Sequence, residues 1–143
     1  MNLKLYLIGA LFLQSCATGG DWRTANKDSV GIAPNASEEK RAVVQIYAAR
    51  AHSWRGTFGV HPWISIKEKN ASDWTVYQVI GFRARRGLPV VSIEKDFPDR
   101  RWYGNDPTLI LDLRGEPAER AIPKIHEAAL NYPYQNFYRL WPG

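Results

Sequence analysis

Acid–base chemistry near neutral pH calls first for a histidine, and residues 57–66 (TFGVHPWISI) place His61 close to Trp63. Read as a strand, this stretch alternates. Gly59, His61, Trp63 and Ser65 fall on one side, and Phe58, Val60, Ile64 and Ile66 on the other. The apolar set is expected to face a core. The other set puts an imidazole beside an indole. Either His61 is a base or hydrogen-bonding group in a groove lined by Trp63, or it is a satisfied structural histidine in a second packed face. Trp102, Tyr103 and Asn105 are the further candidates for ligand binding. They stand in a polar connection, residues 94–107, whose length is uncommon inside a compact domain and often functional.

Other chemistries find less support. His52, His61 and His126 lack the spacing of metal ligands, and His126 lies off the apolar stripe of its segment, so no metal site is expected. Glu94, Asp96, Asp99 and Asp106 cluster around the long connection, but acids beside Arg100 and Arg101 read as solvated ion pairs rather than a glycosidase pair. No serine stands in a Gly-x-Ser-x-Gly turn, and no glycine-rich phosphate loop precedes a helix. No cofactor is expected.

The elements that must position His61 can be read in order. Residues 42–49 (AVVQIYAA) have the β-branched and aromatic density of a strand, and 50–56 a loop. Pro62 in the next strand argues for a sheet edge or a bulge, because proline donates nothing to the ladder. Residues 67–73 are a polar turn, and 74–82 return as an antiparallel partner. A basic loop at 83–89, a short strand at 90–93 and an apolar run at 108–113 follow.

A helix is expected over residues 116–131, opened by Glu116-Pro117. Its stripe is Ala118, Ala121, Ile122, Ile125, Ala128 and Ala129, with Ile122 and Ile125 in the core. Pro123 inside it should kink the helix or mark its true start. The aromatic tail carries Tyr138, Leu140 and Trp141 and is expected to dock, near the strand bearing His61. Four to five strands and one late amphipathic helix make an α+β domain with a mainly antiparallel sheet.

At 143 residues, 45% hydrophobic and 23% charged, the chain is long enough for one globular domain, placed at residues 41–143. The formal charge of +5 is spread out, too thin for the basic stripe of a nucleic-acid binder. The six Trp and seven Tyr make either a rigid core or a stacking surface.

Cys16 is the only cysteine, which excludes an internal disulfide. Lys4 gives a positive start, and residues 5–13 are an apolar run of signal-peptide length, too short to span a bilayer. Leu13-Gln14-Ser15-Cys16 then resembles a bacterial lipobox, although Gln14 departs from the small or β-branched residue usual there. That resemblance implies a signal peptide at 1–15 and a lipid anchor (palmitate among its acyl chains) on Cys16. Ala17, where an Asp would signal inner-membrane retention, implies the outer membrane, facing the periplasm. An ordinary secretory signal or an uncleaved anchor is the alternative. Residues 16–40, rich in Gly, Asn, Ser and charge, are expected to form a flexible tether, with Trp22 packing back on the domain or meeting the membrane interface.

Three pairs of segments resemble the family known as domain of unknown function 3750. They are VQIYAAR (44–50) with VHPWI (60–64), RWYGN (101–105) with LDLRG (111–115), and YPY (132–134) with YRLWPG (138–143). The likeness covers nearly all of the chain after the tether and carries no assigned activity. Members of that family continue past Trp-Pro-Gly with Pro-Asn-Ser-Asn-Thr-Phe, so a chain ending at Gly143 is expected to be a shortened or truncated member. More loosely, His61 is similar to the early-strand histidine of permuted papain-like hydrolases, whose nucleophile lies at a later helix start. Two functions are therefore expected, the first favoured. One is a non-catalytic envelope lipoprotein that binds or scaffolds a cell-wall or other envelope ligand; the other is a hydrolase-related domain using His61 without its nucleophile segment.

Overall fold

A computed structural model of the chain describes residues 21–139. The expected signal peptide, Cys16, the first part of the expected tether, Leu140 and Trp141 lie outside the described residues. The element order is β1 (Val43–Arg50), a 3-10 turn (Ser53–Thr57), β2 (Val60–Lys67), β3 (Thr75–Val79), a second 3-10 turn (Gly81–Arg86), β4 (Val91–Lys95), β5 (Thr108–Arg114) and α1 (Glu116–Leu130). All five strands form one antiparallel sheet in the order β4-β3-β2-β1-β5. The protein is thus α+β, as the strand runs and the single late stripe imply.

Alternation along β1 and β2 gives the sheet two different faces. Ala42, Val44, Ile64, Ile66, Tyr77, Ile93 and Leu113 face α1, which returns Ala118, Ala121, Ile122, Ile125 and Ala129. Ile122 is 4% exposed, whereas Ile125 is only half-buried and Ala128, expected on the stripe, points to solvent. α1 runs through Pro123 as one helix, so Pro123 does not mark its true start.

Two expectations for β2 fail. Phe58 is 86% exposed because it caps the 3-10 turn instead of entering the strand, and Val60 pairs with Arg50 at the uncovered end of the sheet. Pro62 lies in an interior strand. It stands opposite Ala48 of β1 without a bulge on that side, but the β2–β3 ladder begins only at Trp63. Pro62 thus sits where the strand has one neighbour, which removes the conflict with its missing donor. The one register shift is in the β1–β5 ladder, between Ile46 and Tyr47.

The face away from α1 carries Gln45, Tyr47, Ala49, His61, Trp63, Ser65, Val76 and Gln78. Two segments without regular structure close over it, the connection after β4 and residues 26–33. Within the stretch expected as a tether, residues 26–33 are docked on the domain. Val30 N–H donates to Asp99 O, Arg101 N–H to Asp28 O and Gly104 N–H to Asn26 O. A backbone so bonded is held, because releasing it would leave these groups to find water instead.

Candidate functional site

β2 presents His61 and Trp63 on the covered face, and the connection after β4 brings Trp102 onto them. The His61 and Trp102 rings stack with centroids 3.5 Å apart and planes within 10°, and Trp63 lies beyond at 6.0 Å. Tyr103 meets Trp102 edge-on at 4.8 Å, and His52 tilts against Tyr103 at 5.1 Å. Tyr47 stacks under Trp63 at 5.7 Å. The aromatic residues that were distant in sequence form one connected layer. The edge-on and wider-spaced pairs of this layer fall in the range where aromatic contacts stabilise beyond their buried area, while His61 and Trp102 meet face to face.

His61 Nε2 lies 3.0 Å from Gln78 Oε1, reached diagonally from β3. With Gln78 Oε1 as the acceptor, this contact assigns the proton to Nε2 and the lone pair to Nδ1, which makes no hydrogen bond among the described residues. Burial lowers the imidazole pKa from 6.5 to about 4, more than the bond to Gln78 raises it. His61 is therefore neutral at pH 7, because a low-dielectric surrounding disfavours the cation.

Trp63 is only 3% exposed, and its indole N–H donates to Pro98 O at 2.7 Å. Ser65 Oγ donates to the same carbonyl at 2.9 Å. Trp63 is a buried anchor for the loop, so the groove expected against its ring is filled by Trp102. Asn105 closes the tight turn by donating from Nδ2 to Trp102 O, while Trp102 N–H bonds Asn105 O. Trp102 and Tyr103 remain half-buried, and they form the accessible part of the cluster. Lys27 stands 4.8 Å over the Tyr103 ring.

The acids of the long connection separate into two kinds. Asp96 pairs with Arg100, Asp106 with Arg101 and Glu94 with Arg83, the ion pairs that their neighbours imply. Asp99 differs. It is 1% exposed and accepts from Ser29 Oγ at 2.5 Å, Ile32 N at 2.6 Å and Ala33 N at 3.1 Å. Asp99 is the clamp that fixes residues 26–33, a role invisible in sequence because its partners stand some seventy positions earlier. Lys67 is likewise buried, its Nζ donating to Arg41 O and Glu68 O, and burial lowers its pKa.

Around His61 no serine, threonine or cysteine hydrogen-bonds to the ring among the described residues. His126 is remote, its Nδ1 beside Tyr77 OH at 3.1 Å on the helix face. Among the described residues no three His, Cys, Asp or Glu gather as a metal site would require, and no helix is long and apolar enough to cross a membrane.

A family model described as protein of unknown function (DUF3750) matches residues 41–143. The chain belongs to the DUF3750 family. No curated protein and no solved structure matches it. The match to DUF3750 begins at Arg41, just before β1, and takes in all five strands, α1 and the connection bearing Trp102.

Proposed function

We propose that this DUF3750 protein is a non-catalytic, lipid-anchored protein of the bacterial cell envelope, whose domain binds an envelope ligand through the Trp102–Tyr103 shelf. The observation that carries the binding reading is the stack itself. His61 is pressed against Trp102, engaged by Gln78 and weakened as a base to about 4, which suits a rigid recognition surface better than proton transfer at pH 7. Half-exposed rings locked by neighbours offer contact area at small entropic cost. The envelope ligand is of cell-wall type.

The test is co-sedimentation of the purified protein with isolated cell-wall sacculi. Binding that Trp102→Ala and Tyr103→Ala weaken supports the reading. Amidase, peptidase or acyl-transfer activity abolished by His61→Ala contradicts it. The lipobox-like Leu13-Gln14-Ser15-Cys16 motif supports the anchor at Cys16, with the outer membrane and its periplasmic side as the location. Labelling of cells with a fatty-acid probe is expected to stop in Cys16→Ser.

A hydrolase-related role of the permuted papain-like kind is the second reading. The Nδ1 of His61, which makes no hydrogen bond among the described residues, favours it, since a neutral imidazole is the form that takes a proton.

A further inference from the structure

A second aromatic surface lies outside the His61 cluster, where residues 21–23 meet the 3-10 turn Gly81–Arg86. Trp22 is 41% exposed, and Phe82 and Leu88 are exposed to a similar degree. The Arg86 guanidinium stands 5.9 Å from the Trp22 ring centre and 6.0 Å from that of Phe82, and Arg23 stands 4.6 Å from Trp22. Arg86 thus bridges exposed rings from two separate segments. Its neighbours are unevenly balanced. Asp21 offsets Arg23 and Glu94 offsets Arg83, while Arg85 and Arg86 have no carboxylate in ion-pair range among the described residues.

We propose that the face formed by Trp22, Phe82, Arg85, Arg86 and Leu88 docks the domain on an anionic phospholipid surface. Three arguments select that partner. Indole and phenyl rings interleaved with guanidinium groups match a headgroup layer, where rings enter the acyl boundary and cations stay among phosphates. Two uncompensated arginines supply the charge complement to anionic headgroups. The covalent chain supplies the third. Trp22 stands six positions after Cys16, so a lipid on that cysteine keeps Trp22 within about 20 Å of the membrane at full extension. This last argument rests on the anchor proposed above; the first two do not.

The experiment uses the full chain, purified from bacterial membranes and reconstituted in vesicles of phosphatidylcholine, with or without phosphatidylglycerol. A headgroup-nitroxide lipid quenches tryptophans at the interface, and subtracting the Trp22→Phe signal isolates Trp22. Quenching of Trp22 is expected in the anionic vesicles and not in the neutral ones. In the wild type it should vanish near 1 M salt, where the Debye length is about 3 Å. In the Arg85→Ser/Arg86→Ser variant the docked-to-undocked ratio should fall roughly thirty-fold. Chains that float with the vesicles but show equal Trp22 quenching in both lipids, or none, overturn the docking face and leave the anchor standing. Chains that fail to float even with anionic vesicles overturn both.

Discussion

His61 shows how a residue that reads as a base can be turned into a fixture. Its type and spacing identify a candidate for chemistry, and its parity with Trp63 is legible from the alternation of one strand. The Trp102 ring that lies against it arrives from some forty positions later, and no local pattern announces that contact. The consequence can be measured as stability. The folded pKa of about 4 lies below the ordinary 6.5, so the unfolded chain binds the proton first. Stability from this residue is complete above pH 6.5 and is lost as pH falls toward 4, by at most about 3 kcal/mol. Urea midpoints for the wild type and His61→Phe should therefore diverge in pH dependence between 6.5 and 5, the wild type being steeper. Glu39, held at about 2 by its hydrogen bonds to Arg41, does not obscure that comparison, because its own loss begins at lower pH. Parallel pH curves would contradict the burial of the imidazole.

The strands were legible because each face repeats at period two, and α1 because Ala118, Ile122, Ile125 and Ala129 repeat at three and four. What period alone does not reveal is depth. Ile122 is buried and Ile125 only half-buried against the same cluster, although both belong to one apolar stripe. Ile122→Ala should cost about 2–5 kcal/mol and Ile125→Ala less than half as much, read from chemical denaturation. Equal costs would mean that the helix sits differently on the sheet. Residues 26–33 illustrate the opposite error. Their composition is that of a linker, yet the Asp99 carboxylate supplies acceptors for Ser29, Ile32 and Ala33 that composition cannot foretell. Asp99→Ala should destabilise the protein by about 2–4 kcal/mol, since charged hydrogen bonds to buried donors are lost. Hydrogen exchange at Ile32 and Ala33 should rise in that variant; unchanged protection there would refute the clamp.

At the scale of the molecule, the described segments before β1 and after α1 both fold back onto the sheet and its loops. Residues 26–33 hold the connection that carries Trp102, and the segment after α1 returns to the end of β3, which stands beside the His61 end of β2. Val90 N–H donates to Gln135 O at 2.7 Å, and the Tyr138 ring lies so close to Gly81 that a methyl group there would collide with it. That Tyr138 of the aromatic tail packs back was legible from its composition, while Leu140 and Trp141 lie outside the described residues. Tyr138 seats against Gly81 just past β3, the neighbour of the strand bearing His61, where only a glycine leaves room for the ring. Gly81→Ala should therefore displace the tail and cost as much as Tyr138→Ala, and the double variant should cost little more than either. Additive costs would show that the two do not share a contact. The stacked layer under Trp102 is the centre of this architecture, and the neutral His61 within it is the central claim. A heteronuclear NMR titration of the histidine rings in the purified protein tests it most directly. The account predicts a His61 ring that is protonated on Nε2, neutral at pH 7 and titrating near 4. A His61 ring that titrates near or above 6.5, or that carries its proton on Nδ1, would contradict it.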